Sequence, residues 1–353
     1  MAFVRDVVRT SREFVVIGTQ YEQPLPNLGP PPPHEGRVWA STDGRTWTDV
    51  TPDSTFRNVD LRHLAVTADG SLIVFGLQSR LMDGGILQVS EVSAWESSDG
   101  RAWRSVATGL PAGSRVLDFD QGDRGSVAWI SRDVTASPTE LWFSADERSW
   151  QHVYDLPAGS MSVGAGDEGF VVTGVRGSFP DSQTLAIASS DGREWFDASS
   201  PPAVGARVAP RGADWVAIAS DRPADFGSSG EASVWSSANG LNWEQIGVMP
   251  LPVVSLEGGG TCREFNPSVV TAGPWLIAAT TLAGPCGEGG FFVNGTARIS
   301  VDGATWIPLP FAQGTPGVSG SGSGVSAAAA VDGGLLLAGE SNRMATFWIG
   351  EAP

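Results

Sequence analysis

The chain of 353 residues contains no lysine. All 22 of its basic side chains are arginine, and they face 39 acids, for a formal net charge of -17. A chain so acidic repels phosphate backbones, which excludes general nucleic-acid binding. Only 2 cysteines, 2 tyrosines and 3 histidines are present. Two thiols cannot complete a zinc site, and His34, His63 and His152 lie too far apart for metal-ligand spacing. No run of 18 apolar residues exists, so no segment is built to span a membrane. What the chain does have is 45 glycines, 24 prolines, 14 tryptophans and 41% hydrophobic residues, too much core material for a disordered protein.

A seven-residue phrase recurs. It reads STDGRTW from Ser41, SSDGRAW from Ser97, SADERSW from Ser144, SSDGREW from Ser189, SANGLNW from Ser237 and SVDGATW from Ser300. Its tryptophans are separated by 56, 47, 45, 48 and 63 residues, a period that suits one four-stranded propeller blade. Between the copies lies a hairpin whose second arm is strongly apolar, as in Phe14-Val-Val-Ile-Gly18, Leu72-Ile-Val-Phe-Gly76 and Phe170-Val-Val-Thr-Gly174. Turn signals such as Asp69-Gly70 and Asp332-Gly-Gly334 precede these arms.

Each unit therefore reads as strands A, B, C and D, with the phrase on the C–D turn. Units near residues 2–52, 60–108, 114–156, 160–200, 204–250, 266–311 and 325–350 give one all-β domain over 1–353, a seven-bladed β-propeller of four-stranded antiparallel blades. The last unit stops after its C strand at Thr346-Phe-Trp-Ile349. Either the last blade has three strands, or a strand that closes it precedes Met1.

The phrase S-x-D-G-x-x-W resembles the Asp-box of sialidases and other BNR-type β-propellers, shortened by one residue between Asp and Gly. The resemblance implies a propeller fold and leaves function open, because Asp-boxes serve many roles. Locally, Asp43, Asp99, Asp146, Asp191 and Asp302 are suited to hold turn N–H groups, while Trp47, Trp103, Trp150, Trp195, Trp243 and Trp306 cover the blade edge. Asn239 replaces Asp in one copy and Glu147 replaces Gly in another, which fits a structural turn better than a metal site. The other tryptophans also hold blade positions: Trp39, Trp95, Trp142, Trp235 and Trp348 on strand C, and Trp129, Trp215 and Trp275 on strand B. A sugar-stacking tryptophan in an irregular loop is therefore not expected. Arg45, Arg101, Arg148 and Arg193 follow four boxes as an arc, read as pairing with nearby acids and alternatively as a surface for an anionic partner.

The D–A and B–C loops share one face and are long and irregular, so a site is expected at the mouth of that face. Cys262 and Cys286 bracket strands A and B of blade six in two such loops, where a disulfide is geometrically reasonable and two reduced thiols are the alternative. A disulfide implies an exported or cell-envelope protein whose leader has been removed. The missing lysine, with abundant Ala, Gly, Arg and Pro, points by association to a bacterial source. The acids Asp83, Glu91, Asp221, Asp225, Glu264 and Glu288 on the long-loop face suggest Ca²⁺ without any supporting motif, so no cofactor is expected.

Sialidase-like chemistry, as the resemblance implies it, takes an arginine cluster, a tyrosine nucleophile with a glutamate, and an acid. Arg62, Arg115 and Arg207 begin A strands, Arg176 follows a B strand, and Tyr21 with Glu22 ends the first B strand. Tyr21 is misplaced relative to that family, Tyr154 falls on an outer strand, and the family's Arg-Ile-Pro stretch is absent. The reading is therefore a monomeric binding or scaffolding module for a protein or glycan on the long-loop face. The alternative is a glycoside hydrolase acting on an anionic sugar. A photosystem-stability type of assembly factor uses basic patches, which the charge of this chain disfavours.

Overall fold

The computed structural model describes residues 2–22, 33–81, 87–107, 109–132, 139–157, 159–176, 183–200, 202–203, 205–220, 230–251, 253–255, 261–283, 297–309, 324–332, 334–341 and 344–351. They form an all-β, seven-bladed propeller, each blade an antiparallel sheet with its strands in chain order. The inner A strands are Ala2–Arg9, Val59–Val66, Arg115–Gly122, Gly159–Gly166, Arg207–Arg211, Thr261–Ala272 and Gly324–Val331. Blades one to six have strands A to D, while blade seven has three strands and ends on Met344–Glu351. Blade six carries an extra strand, Val253–Ser255, paired with the start of its A strand. Three residues are too few to show a periodicity in sequence.

The B strands are apolar without interruption because both of their faces are covered by neighbouring blades. In blade one, Val15 and Ile17 pack with Val59, Leu61 and Leu72 of blade two. The alternate residues, Phe14 and Val16, pack with Ala327, Leu336 and Ala338 of blade seven. The same division recurs around the ring, giving one apolar cluster between each pair of adjacent blades.

Blades seven and one meet without exchanging a strand. Phe347 of the last strand stacks on Trp47 at 4.2 Å between ring centroids and meets Trp39 edge-on at 6.0 Å. Arg9 reaches Asp332 at 3.1 Å. Among the described residues the ring is closed by side-chain contacts, apolar and ionic, with no shared strand.

All six copies of the phrase sit between strands C and D. In each, the Ser hydroxyl donates to the Asp or Asn oxygen at 2.9–3.3 Å. The same oxygen accepts the N–H groups two and three residues on at 2.7–3.1 Å. These bonds favour the ionised form, holding Asp43 and Asp302 down at about 2. In five copies the Trp indole donates to the Gly carbonyl at 2.8–3.2 Å. The glycine of those five has φ between 70° and 74°, the left-handed region where it carries no Cβ penalty. At Gly192 a Cβ would also strike the ring of Phe143 in the preceding blade.

Three of the four arginines of the arc reach the preceding blade. Arg101 holds Glu13 of blade one through both carboxylate oxygens, at 2.6 and 2.9 Å. Arg148 holds Glu96 at 2.5 Å and Asp69 at 3.0 Å, both of blade two. Arg193 lies 4.7 Å over the Phe143 ring of blade three.

If packing at the seam closes the ring, Phe347→Ala should cost about 2–3 kcal/mol in denaturant unfolding. Val301→Ala, at a side chain 54% exposed, should stay within about 0.5 kcal/mol. Equal effects of the two would show that the seam contributes little.

Candidate functional site

One edge of each A strand pairs with its B strand and the other faces the axis, except at the start of the blade-six strand where Val253–Ser255 pairs with it, and the backbone groups on that inner edge need partners. Side chains from adjacent blades supply several of them. Asp6 Oδ2 accepts Leu64 N–H at 2.9 Å, Asp118 Oδ2 accepts Val163 N–H at 3.0 Å, and Asp120 Oδ2 accepts Ala165 N–H at 2.8 Å. Gln121 uses both ends of its amide on Val66, accepting its N–H at 2.9 Å and donating to its carbonyl at 2.7 Å. Ser162 accepts Val208 N–H at 3.4 Å, and Thr271 donates to the Pro210 carbonyl.

These carboxylates reach the edge because the A strands bulge. The register slips between Val4 and Asp6 and between Leu61 and His63, so Arg5 and Arg62 are the extra residues. Leu117 is the extra residue in blade three, between Val116 and Asp118. A bulge re-aims side chains, and here it turns two arginines toward one acid at the long-loop end.

That acid is Asp60. Its Oδ1 accepts the Thr19 hydroxyl at 2.7 Å and lies 3.7 Å from Arg5 Nη2. Its Oδ2 lies 2.5 Å from Arg62 Nη2 and accepts the Tyr21 hydroxyl at 3.4 Å. The Asp60 side chain is 10% exposed and Tyr21 is 5% exposed. The Arg5 and Arg62 side chains above them are 29% and 36% exposed. Burial first, and then the charge of Asp60, push the Tyr21 phenol above its ordinary value. Burial pushes Arg62 down. His63, behind the pair, falls to about 3 through burial, then through Arg62 and Arg5, and stays neutral near pH 7.

Deeper in the channel, burial raises Asp6 and Asp120 to about 7 and also raises Asp118, against the opposing backbone hydrogen bonds. Asp120 is raised further by the charges of Asp118 and Asp6, whereas Arg207 acts on Asp118 in the opposite direction. No group of three or more His, Cys, Asp or Glu among the described residues is arranged to hold a metal ion.

The structure thus brings together two of the sequence candidates, Arg62 and Tyr21. Glu22 is exposed beyond the end of its strand, and its N–H donates to the Pro33 carbonyl at 3.1 Å. Arg176 is exposed at the end of its B strand, and the ring whose titration it influences is Tyr154 on the outer strand of blade three. Arg115 opens the A strand of blade three with a buried Nε that has no hydrogen-bond partner. Arg207 donates to the Met161 carbonyl at 3.0 Å and so is tied to blade four. His34 is the first residue of strand C, buried, with its ring 5.2 Å from that of Tyr21. The Cys262–Cys286 pairing lies outside the described residues, as do the side chains of Asp83, Glu91, Asp221, Asp225, Glu264 and Glu288.

Sequence reasoning missed Arg5, Asp60, Asp6, Asp118 and Asp120. A signal was present in the aligned A strands, Val4-Arg5-Asp6, Leu61-Arg62-His63 and Val116-Leu117-Asp118, where a polar residue recurs inside an apolar strand.

No family model matches the chain, and no curated protein matches it in sequence. Among solved structures it is similar to the β-propeller domain of the Trilobed protease from Pyrococcus furiosus, described as having an open velcro topology. That likeness has 10% identity and a TM-score of 0.56, covering 99% of this chain and 95% of the other. It is similar to Pyrococcus horikoshii acylaminoacyl peptidase at 11% identity and TM-score 0.55, with 99% of this chain but 51% of that one covered. The WD40 β-propeller domain of Doa1 follows at 12% and 0.51, over 99% and 93%. Identities this low show the fold alone. Among the described residues no helix is long and apolar enough to cross a membrane.

A carboxyl whose pKa is higher in the folded chain binds its proton more tightly there. Asp6 and Asp120 therefore add stability below the unfolded value near 4, and that addition is lost as pH rises through about 7. Asp43 and Asp302 act in the opposite sense, their contribution being lost as pH falls from about 4 through about 2. Thermal unfolding should shift upward on going from pH 8 to pH 5, and Asp120→Asn should flatten that slope. A wild-type profile already flat over this range would show that the channel carboxylates ionise without cost.

Proposed function

We propose that the chain is a non-catalytic binding module that uses the long-loop mouth of its channel to take an anionic group presented by a glycan or a protein. The pair Arg5 and Arg62 carries this reading. Two guanidinium groups surround a single carboxylate, Asp60, and both remain partly exposed above it. On a chain of net charge -17, such a local excess of positive charge is the place an anion can approach. The surrounding acids would repel it elsewhere, which adds selectivity. Guanidinium groups suit carboxylates and sulfates because their planar forks match the acceptor geometry.

The recurring turn phrase supports placing the chain with the Asp-box propellers. Its two cysteines support export to the cell envelope or beyond. The hydrolase reading draws support from the contact between the Tyr21 hydroxyl and Asp60 beside two arginines. It is the weaker reading chemically. A nucleophilic phenol must lose its proton, and burial with a carboxylate neighbour makes that harder for Tyr21. Both Asp60 oxygens are also committed, to Thr19 and Arg5 on one side and to Arg62 and Tyr21 on the other.

The intact chain should bind glycans that carry carboxylate or sulfate groups and ignore their neutral counterparts. Arg62→Gln should weaken binding roughly tenfold, with a lowered unfolding temperature because the nearer counter-charge of the largely buried Asp60 is lost. Turnover of an aryl glycoside of an anionic sugar, abolished by Tyr21→Phe, would replace the binding reading with the hydrolase one.

A further inference from the structure

The third copy of the turn phrase breaks its own pattern in three linked ways. Glu147 stands where the other five copies have glycine and adopts φ 60°. A side chain in this region carries a steric penalty that glycine avoids. Trp150, the tryptophan of the same copy, has its indole N–H buried without a hydrogen-bond partner, whereas its five counterparts donate to a glycine carbonyl. The Glu147 carboxylate is buried, the residue being 4% exposed, which desolvation opposes.

The substitution leaves a carboxylate held firmly by one oxygen. Glu147 Oε1 accepts Gln121 Nε2 and the Ser126 hydroxyl, each at 3.0 Å. Gln121 is itself pinned to the Val66 backbone by two hydrogen bonds. Oε2 has no hydrogen-bond partner among the described residues, and Glu147 lines a cavity of about 580 Å³ at the short-turn end of the channel. Asp123 and Asp167 share the lining, together with Pro210, Thr271 and mostly alanine and glycine. No arginine is among the described residues that line it.

We propose that this cavity binds a protonated primary amine carried on an unbranched aliphatic chain, with the ammonium group donating to Glu147 Oε2. The rim acids and the bare carboxylate oxygen select a cation, and the small lining residues leave room for a narrow aliphatic body. A guanidinium fork gains most from a carboxylate when it can use both oxygens, and here Oε1 is already filled by two donors. An ammonium needs only one acceptor along each N–H direction. The amine is foreign to this chain, because the sequence contains no lysine that a second copy could supply. It comes either as a free diamine or as the lysine side chain of another protein.

The test is calorimetric titration of the full chain with 1,5-diaminopentane, and separately with a lysine peptide blocked at both termini. Binding of either supports the site, and whichever binds more tightly identifies the source. Butylguanidine should bind at least tenfold more weakly than pentylamine. Glu147→Gln, which keeps the size of the side chain, should cost at least tenfold in amine affinity. Glu147→Gly, which restores the pattern of the other copies, should unfold at a higher temperature than wild type and bind no amine. Failure of both amines to bind at millimolar concentration overturns the proposal, as does undiminished binding by Glu147→Gly.

Discussion

Seven sheets arranged around an axis leave seven inner strand edges facing one another across a narrow channel, and the backbone groups on those edges cannot stay unpaired. This chain answers with side chains from adjacent blades. Asp6 serves blade two, Asp118 and Asp120 serve blade four, and Gln121 serves blade two. Each carboxylate spends one oxygen on the N–H of the following residue and the other on the neighbour. Carboxylates are costly to bury, so the same bonds that knit the blades together concentrate acids whose ionisation is opposed. Cohesion between blades and titration inside the channel are two consequences of one arrangement. The bulges belong to it as well, since an even strand register would send Asp6 and Asp118 to the opposite face.

Away from the axis the blades are held by apolar contact. The B strands alternate between two neighbours, so every second residue serves a different interface. Farther out, the turns that carry the recurring phrase bring tryptophans and arginines back onto the preceding blade, as Arg101 does with Glu13 and Arg193 with Phe143. Among the described residues blade seven has no outer strand, and it has no copy of the turn phrase, yet Phe347 still stacks against Trp47 of blade one. The seam is therefore built from the same kind of contact as the other interfaces.

Most of the fold was legible because its determinants are local and repeated. Asp and Gly in a turn, an apolar run after it and a tryptophan at a fixed distance can each be read from neighbours in sequence. The extra strand Val253–Ser255 was not legible, because it is too short to show a period. The site was legible only in part. Arg62 and Tyr21 were found through their strand positions, but Asp60, which joins them, looks in sequence like any acid before a strand. Arg5 joins Arg62 only through bulges in two different blades, and bulges have no reliable local signature. The strand position of His34 was not legible, because four prolines precede it and its pairing to Tyr21 is not visible in sequence.

The two ends of the channel differ in the charges that line them. Each A strand runs from the long-loop face to the short-turn face. Arg5 and Arg62 meet near the long-loop end, while Asp123, Glu147 and Asp167 line the cavity at the short-turn end, where Arg9, Arg124 and Arg211 close A strands or turns without being among the described residues that line it. Isolated surface charges on this chain would be screened within about 8 Å at physiological ionic strength. Charges gathered in a low-dielectric channel are screened far less. The middle of the channel, where Asp118 and Asp120 are pushed toward their neutral forms, keeps the acidic end from extending to the arginines. A single polarised channel can in this way present an anion site at one mouth and a cation site at the other without the two cancelling.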